Sequence, residues 1–200
     1  MQPVICLASN SPRRRELLSQ IGVSHIVMAA DIDESVLPGE SPRTYVLRLA
    51  REKALAIRST GQQLPVLAAD TTVVVDGRVF GKPRDRADAI SMLSELAGRA
   101  HEVLTAVALA RAQDVNARLS SNTVCFRRIS QEECAAYWET GEPRDKAGGY
   151  AIQGLGAVFV ESLSGSYSAV MGLPLFETGE LLQAAGIQYW NGASAGRERA

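Results

Sequence analysis

Three consecutive arginines, Arg13-Arg14-Arg15, follow Ser11-Pro12 where a helix is expected to start, with Ser11 as N-cap and Pro12 as first residue. A helix N-terminus carries partial positive charge, so each basic side chain in its first turn is unfavourable by about 0.3 kcal/mol or more. A bound anion would reverse that balance: free backbone N–H groups, the helix dipole and guanidinium forks would converge on one phosphate. Taken alone, such a run is an ordinary solvated basic face. Asp70 is the second unusual residue, because Val66-Leu67-Ala68-Ala69 precede it and Thr71-Thr72-Val73-Val74-Val75 follow it. A carboxylate in so apolar a strand is costly unless it is hydrogen-bonded to a neighbouring turn, ion-paired or bound to a metal. As a functional group it would activate a water, directly or through a metal ion. Asp33-Glu34 is a second acidic pair, and Glu34 with Asp70 could complete a carboxylate site.

Lys53 and Lys82 add cations. Gly77 to Lys82 is one residue short of a P-loop, and Pro83 stands where Ser or Thr is needed, so a Walker site is rejected. Gly148 to Gly156 is too irregular for a dinucleotide fingerprint. Its glycines would let backbone approach a ligand, and Gln153 offers one donor group and one acceptor group, matching the imide edge of uracil or thymine. Cations beside metal-binding carboxylates suggest phosphoryl or nucleotidyl transfer to water.

These residues need a scaffold. A buried strand over 4–8 runs into the first helix. A second helix, capped by Ser41 with Pro42 at its first position, continues to about Ser59. Its apolar stripe is Val46, Leu49/Ala50 and Ile57; Lys53 falls on that stripe and either snorkels past the core or points into a cleft. A strand over 64–75 turns at Asp76-Gly77 into residues 78–80. A third helix spans 85–97, strands span 101–110 and 118–128, and Ser130-Gln131-Glu132-Glu133 is a capping box for a fourth helix ending at Gly141. A Gly-rich loop over 145–156, a strand at 158–160, a last helix over 174–185 and a weakly ordered tail over 188–200 complete the chain. Helices and strands intermix without a strict βαβ rhythm, which predicts an α/β protein with a mixed sheet.

The 200 residues are 46% hydrophobic and 22% charged, with net charge −1 and 6% aromatics. That suits one domain or two closely packed lobes and argues against nucleic acid or an anionic membrane as partner. Met1 to Ala8 lacks a basic n-region and no stretch is long enough to span a bilayer, so a soluble cytoplasmic protein is expected. Cys6, Cys125 and Cys134 are odd in number and scattered, as befits reduced thiols. With only His25 and His101, zinc or a His-based triad has little material. Any metal would be a hard, oxygen-bound cation such as Mg²⁺ or Mn²⁺.

Leu7-Ala8-Ser9-Asn10-Ser11-Pro12-Arg13-Arg14, Asp33-Glu34, Arg51-Glu52-Lys53-Ala54, Ala69-Asp70-Thr71, Gly81-Lys82-Pro83 and Asp145-Lys146-Ala147-Gly148 resemble, in order and in register, the Maf family of nucleoside triphosphate pyrophosphatases. The resemblance covers residue 4 to Ile187. It implies an elongated mixed sheet flanked by helices in an inosine-triphosphatase-like fold, a single two-lobed unit over 1–187, a cleft between the lobes and a homodimer. It implies that Asp70 activates water, that Ser9, Arg13, Arg14, Lys53 and Lys82 surround the triphosphate, and that Glu34 and Asp70 lie near Mg²⁺ or Mn²⁺. Arg13, Thr71 and Gln153 look like the subgroup acting on dTTP and UTP; the 7-methyl-GTP subgroup carries Trp, Gln and Glu at those places. House-cleaning of modified pyrimidine nucleotides, and a link to cell-division arrest, come with the same resemblance. A non-catalytic division regulator is the rival from another class, but it would not need Asp70, Glu34 and three cations in register.

Overall fold

Val66 to Val75 form one long strand because β-branched and small apolar residues fill it, and it becomes the centre of the sheet. The structure, a computed structural model, describes residues 2–112 and 114–190. In chain order the elements are β1 (Ile5–Ala8), α1 (Pro12–Gln20), β2 (His25–Met28), α2 (Pro42–Ser59), β3 (Val66–Val75), β4 (Arg78–Phe80) and α3 (Arg86–Leu96). Then come β5 (Ala100–Ala110), β6 (Val115–Phe126), α4 (Gln131–Glu139), β7 (Val160–Ser164), α5 (Tyr167–Met171) and α6 (Leu175–Ala184). Short 3₁₀ segments at Glu142–Asp145, Ala147–Gly149 and Leu155–Phe159 lie between α4 and β7.

The strands form one sheet in the order β2-β1-β3-β5-β6-β7, with β4 added to β3. β1 runs parallel to β2 and β3; every other pairing is antiparallel. The expected mixed α/β sheet is therefore present. Asp76 and Gly77 both have positive φ, 49° and 75°, as a tight two-residue hairpin between β3 and β4 requires.

Alternation along β3 sorts its side chains between two faces. Val66, Ala68 and Val74 join Val46, Ala50, Ala54 and Ile57 of α2 in one core. On the other face the sheet carries two separate clusters. Leu67, Ala69, Val107 and Leu109 pack against α1 and α6, whereas Val73, Val75 and Val103 pack against α3, α4 and the 3₁₀ segments. On one edge, β3 pairs with β1 at Val66 and Leu67 and with β4 at Val73 to Val75. Between these stretches, residues 68–72 have β5 as their only strand partner among the described residues.

Two of the three caps read from the sequence, Ser41 and Ser130, form with their side chains. Ser41 Oγ accepts from Thr44 N at 3.2 Å, and Ser130 and Glu133 make the two reciprocal bonds of the capping box. Three details depart from expectation. The strand expected at 158–160 begins at Val160, because Val158 and Phe159 belong to the preceding 3₁₀ segment, where Phe159 packs on Phe126 and Tyr137. β2 and α5 carry no local signal strong enough to read. Of the expected tail, Tyr189 packs beside the α1–α6 cluster and Trp190 N donates to Ile21 O at 2.6 Å; residues 191–200 lie outside the described residues. No described helix is long and apolar enough to cross a membrane.

Candidate active site

The open stretch of the β3 edge floors a cavity of about 630 Å³. Ser9, Arg13, Arg14, Glu34, Lys53, Asp70, Thr71, Lys82 and Gln153 all line it. The structure thus brings these nine residues together from segments as distant as the end of β1 and the loop after α4, whereas Asp33 and Arg15 do not line the cavity.

Asp70 lies at mid-strand but at the gap in pairing, where its side chain is on the α2 face and 7% exposed. Lys53 Nζ donates to Asp70 Oδ1 at 2.7 Å and sits 2.7 Å from Glu34 Oε1. Of the two destinations open to Lys53, it takes the cleft. Tyr45, Leu49 and Lys53 follow at i, i+4 and i+8 on one face of α2, and Tyr45 donates its hydroxyl proton to the backbone carbonyl of Glu34 at 2.9 Å. The helix therefore fixes Glu34 twice, by backbone and by side chain. Tyr45 was not read as a site residue, although its i−8 spacing from Lys53, two helical turns, was available to find it.

Burial pushes the Asp70 carboxyl above the usual range, and the charges of Lys53 and Arg14 oppose that rise without cancelling it. Glu34 is also pushed up by burial, but its bond to Lys53 and the charges of Lys53, Lys82 and Arg14 prevail and hold it low. Burial, with the charges of Asp70 and Glu34, raises the Tyr45 phenol to about 12, so it stays a hydrogen-bond donor. The two carboxylates are thereby made unlike, one proton-accepting and one firmly anionic.

At the start of α1 the capping differs from that expected. Ser11 takes the N-cap backbone position, but its side chain makes no capping bond; Ser9 Oγ instead accepts from Ser11 N at 3.1 Å. Arg14 is a strut: Nε donates to Gly172 O at 2.8 Å, and the outer nitrogens reach Ser9 Oγ at 3.5 Å and Thr71 Oγ1 at 3.4 Å. Thr105 donates its single hydroxyl proton to Ala169 O at 2.8 Å, so in the 3.1 Å contact between the two hydroxyls it is Thr71 that donates to Thr105 Oγ1. That network joins α1 to α5 on one face of the sheet. By contrast, the Arg13 and Lys82 side chains make no hydrogen bond among the described residues and line the cavity as cations. Arg15 is exposed and contributes nothing here.

No described group of three or more His, Cys, Asp or Glu side chains could cage a metal. Asp70 and Glu34 do suit a hard divalent cation: one or two carboxylates, completed by substrate phosphate oxygens, is the ordinary donor set for Mg²⁺. Lys53 takes one oxygen of each, Oδ1 and Oε1. Chemically, the cavity offers an acidic centre for metal and water, cations for phosphates, and planar amides at Asn10 and Gln153.

Residues 4–185 match the family described as Maf-like protein. The chain is 54% identical over 188 residues to the dTTP/UTP pyrophosphatase of Saccharophagus degradans, covering 92% of this chain and 90% of that protein. It is 53% identical over 185 residues to the dTTP/UTP pyrophosphatase of Methylobacillus flagellatus, covering 92% and 93%. A solved structure, that of the Staphylococcus aureus Ham1 protein, resembles it with a TM-score of 0.46 and 13% identity, covering 90% of this chain and 96% of that one. This chain belongs to the Maf family.

Proposed function

We propose that the chain hydrolyses dTTP and UTP to the nucleoside monophosphate and pyrophosphate. The observation that carries this reading is the convergence of a buried, proton-accepting Asp70, an anionic Glu34 and the cations Lys53, Arg13 and Lys82 on one cavity. It is supported by relatives at 53–54% identity that bear the name dTTP/UTP pyrophosphatase.

In this account Asp70 takes a proton from water as the water oxygen attacks the α-phosphorus in line, and the α–β bridging oxygen leaves with pyrophosphate. Lys53 orients Asp70 through its bond to Oδ1. Arg13 and Lys82 meet the charge that grows on the leaving pyrophosphate. Arg14, Ser9 and Thr71 hold the start of α1 against β3, so the exposed N–H groups of that helix face the phosphates. Glu34 and Asp70 would hold Mg²⁺ or Mn²⁺, which when bound supplies charge neutralisation for the triphosphate. The Gln153 amide reads the imide edge of uracil or thymine, and Arg13 and Thr71 shape the same preference. Two helical groups on one sheet face, flanking the cavity, serve as the two lobes of a single unit.

A panel of nucleoside triphosphates with Mg²⁺ or Mn²⁺, scored for pyrophosphate against orthophosphate, tests this reading. Expected are pyrophosphate from UTP and dTTP, little from GTP or 7-methyl-GTP, and loss of turnover by about 10²-fold or more in Asp70→Asn with nucleotide binding kept. Orthophosphate as the product, or full activity in Asp70→Asn, would refute it.

A further inference from the structure

The loop that carries Gln153 is organised by two side chains that do not line the cavity. Tyr137, on α4, donates its hydroxyl proton to Glu142 Oε1 at 2.6 Å and accepts from the backbone N–H of Ala151 at 3.2 Å. Glu142 stands at the start of the first 3₁₀ segment and accepts from Leu155 N through Oε2 and from Gly156 N through Oε1, both at 3.0 Å. The pair therefore grips the backbone on both flanks of Gln153, at residue 151 before it and at 155 and 156 after it. The glycines fit this arrangement. A Cβ at Gly154 would run into the Glu142 carboxylate, and one at Gly156 would come within 2.6 Å of the Tyr137 hydroxyl.

Gln153 itself makes no side-chain hydrogen bond among the described residues, although it lines the cavity. An unbonded amide discriminates between bases only if its backbone is held still before the nucleotide arrives. Within the loop, a 3.3 Å bond from Gly154 N to Ala151 O closes the turn on itself; Tyr137 and Glu142 anchor that turn to α4 and the first 3₁₀ segment. Tyr137 is 5% exposed and packs edge-on against Phe159 at 5.1 Å, so the phenol has little freedom. Hydrogen bonds to an ionised acceptor are roughly twice as strong as neutral ones, which favours a carboxylate over an amide at position 142.

We propose that Glu142 and Tyr137 are positioning residues for nucleobase discrimination: together they fix the 151–156 backbone so that the Gln153 amide meets the pyrimidine edge at a set place. This rests on the reading of Gln153 as the base-recognising side chain.

The test is kcat/KM for UTP against CTP, which differ at the imide edge, in Gln153→Ala, Glu142→Gln, Tyr137→Phe and the Glu142→Gln/Gln153→Ala double variant. Expected is a fall of about tenfold in the UTP:CTP ratio for Gln153→Ala and a comparable fall for Glu142→Gln. Tyr137→Phe, which removes only a hydroxyl, should lower the ratio less, and it decides the matter should Glu142→Gln fold poorly. The double variant should show no further fall beyond Gln153→Ala, because Glu142 acts through Gln153. A purely structural role would lower activity on both nucleotides equally and leave the ratio unchanged. An unchanged ratio in Glu142→Gln and Tyr137→Phe, beside a changed one in Gln153→Ala, overturns the positioning role while the base reading stands. An unchanged ratio in Gln153→Ala overturns the base reading, and the positioning role with it.

Discussion

Lys53 is the residue on which the site turns, because one ammonium holds two carboxylates, each at 2.7 Å. Asp70 and Lys53 are both buried, and a buried ion pair contributes little net stability, yet removing one partner leaves an uncompensated charge. Lys53→Met should therefore lower unfolding stability by about 3 kcal/mol. Adding Asp70→Asn to the same chain should return most of that loss, since the second change removes the stranded charge. Urea unfolding of the single and double variants checks this; a Lys53→Met protein as stable as the parent would show that the two groups are not coupled. The sequence could not decide where Lys53 points. Its helical period is the same whether it snorkels or enters a cleft, and only the gap beside β3 makes the cleft available. Asp70 was more legible, because a carboxylate inside so apolar a strand demands a partner.

Elements with strong local signals were legible in advance. Pro42 and Ser41 start α2, Ser130 and Glu133 start α4, and the Asp76-Gly77 turn closes β4 onto β3. β2 was not legible, because His25–Met28 is a four-residue edge strand that owes its existence to parallel pairing with β1, a non-local cause. The Gly-rich loop was legible only in part: glycine density suggested close approach by a ligand, whereas Gly154 and Gly156 make room for Glu142 and Tyr137. Gly148 shows a third reason. Its φ is +68° and a Cβ there would meet Val73 at 2.8–3.1 Å, while its N–H bonds Gly81 O at 3.0 Å. Gly149 has a similar φ of +70° but nothing nearer than Pro83 at 3.9 Å. Gly149→Ala should cost only the backbone strain, about 1 kcal/mol, and Gly148→Ala should cost about 2–3 kcal/mol because Val73 must also move. Comparing the two melting temperatures isolates the packing term; equal losses would mean Val73 yields freely.

At the scale of the molecule, one mixed sheet carries α2 on one face and two helical groups on the other, and the cavity opens where β3 changes partners between β1 and β4. No local pattern announces that gap, since it is a property of which strands end where. Stability of the whole should also report His101, which is 4% exposed, within 2.8 Å of the Tyr150 hydroxyl, and has a buried Nδ1 without a partner. Burial, reinforced by the charge of Arg99, lowers its pKa from 6.5 to about 4. The unfolded chain then binds a proton below pH 6.5 that the folded chain refuses until about pH 4, so this contribution is complete above 6.5 and is lost as pH falls between those values. The loss amounts to about 3 kcal/mol, and a His101→Leu protein should lack that part of the slope in unfolding measurements between pH 7 and 4; an unchanged slope would place the acid sensitivity elsewhere. The central claim is that water attacks the α-phosphorus of a pyrimidine nucleoside triphosphate. Hydrolysing UTP in ¹⁸O-enriched water and weighing the products tests it directly: the label should appear in UMP with unlabelled pyrophosphate, and label in pyrophosphate or orthophosphate would contradict it.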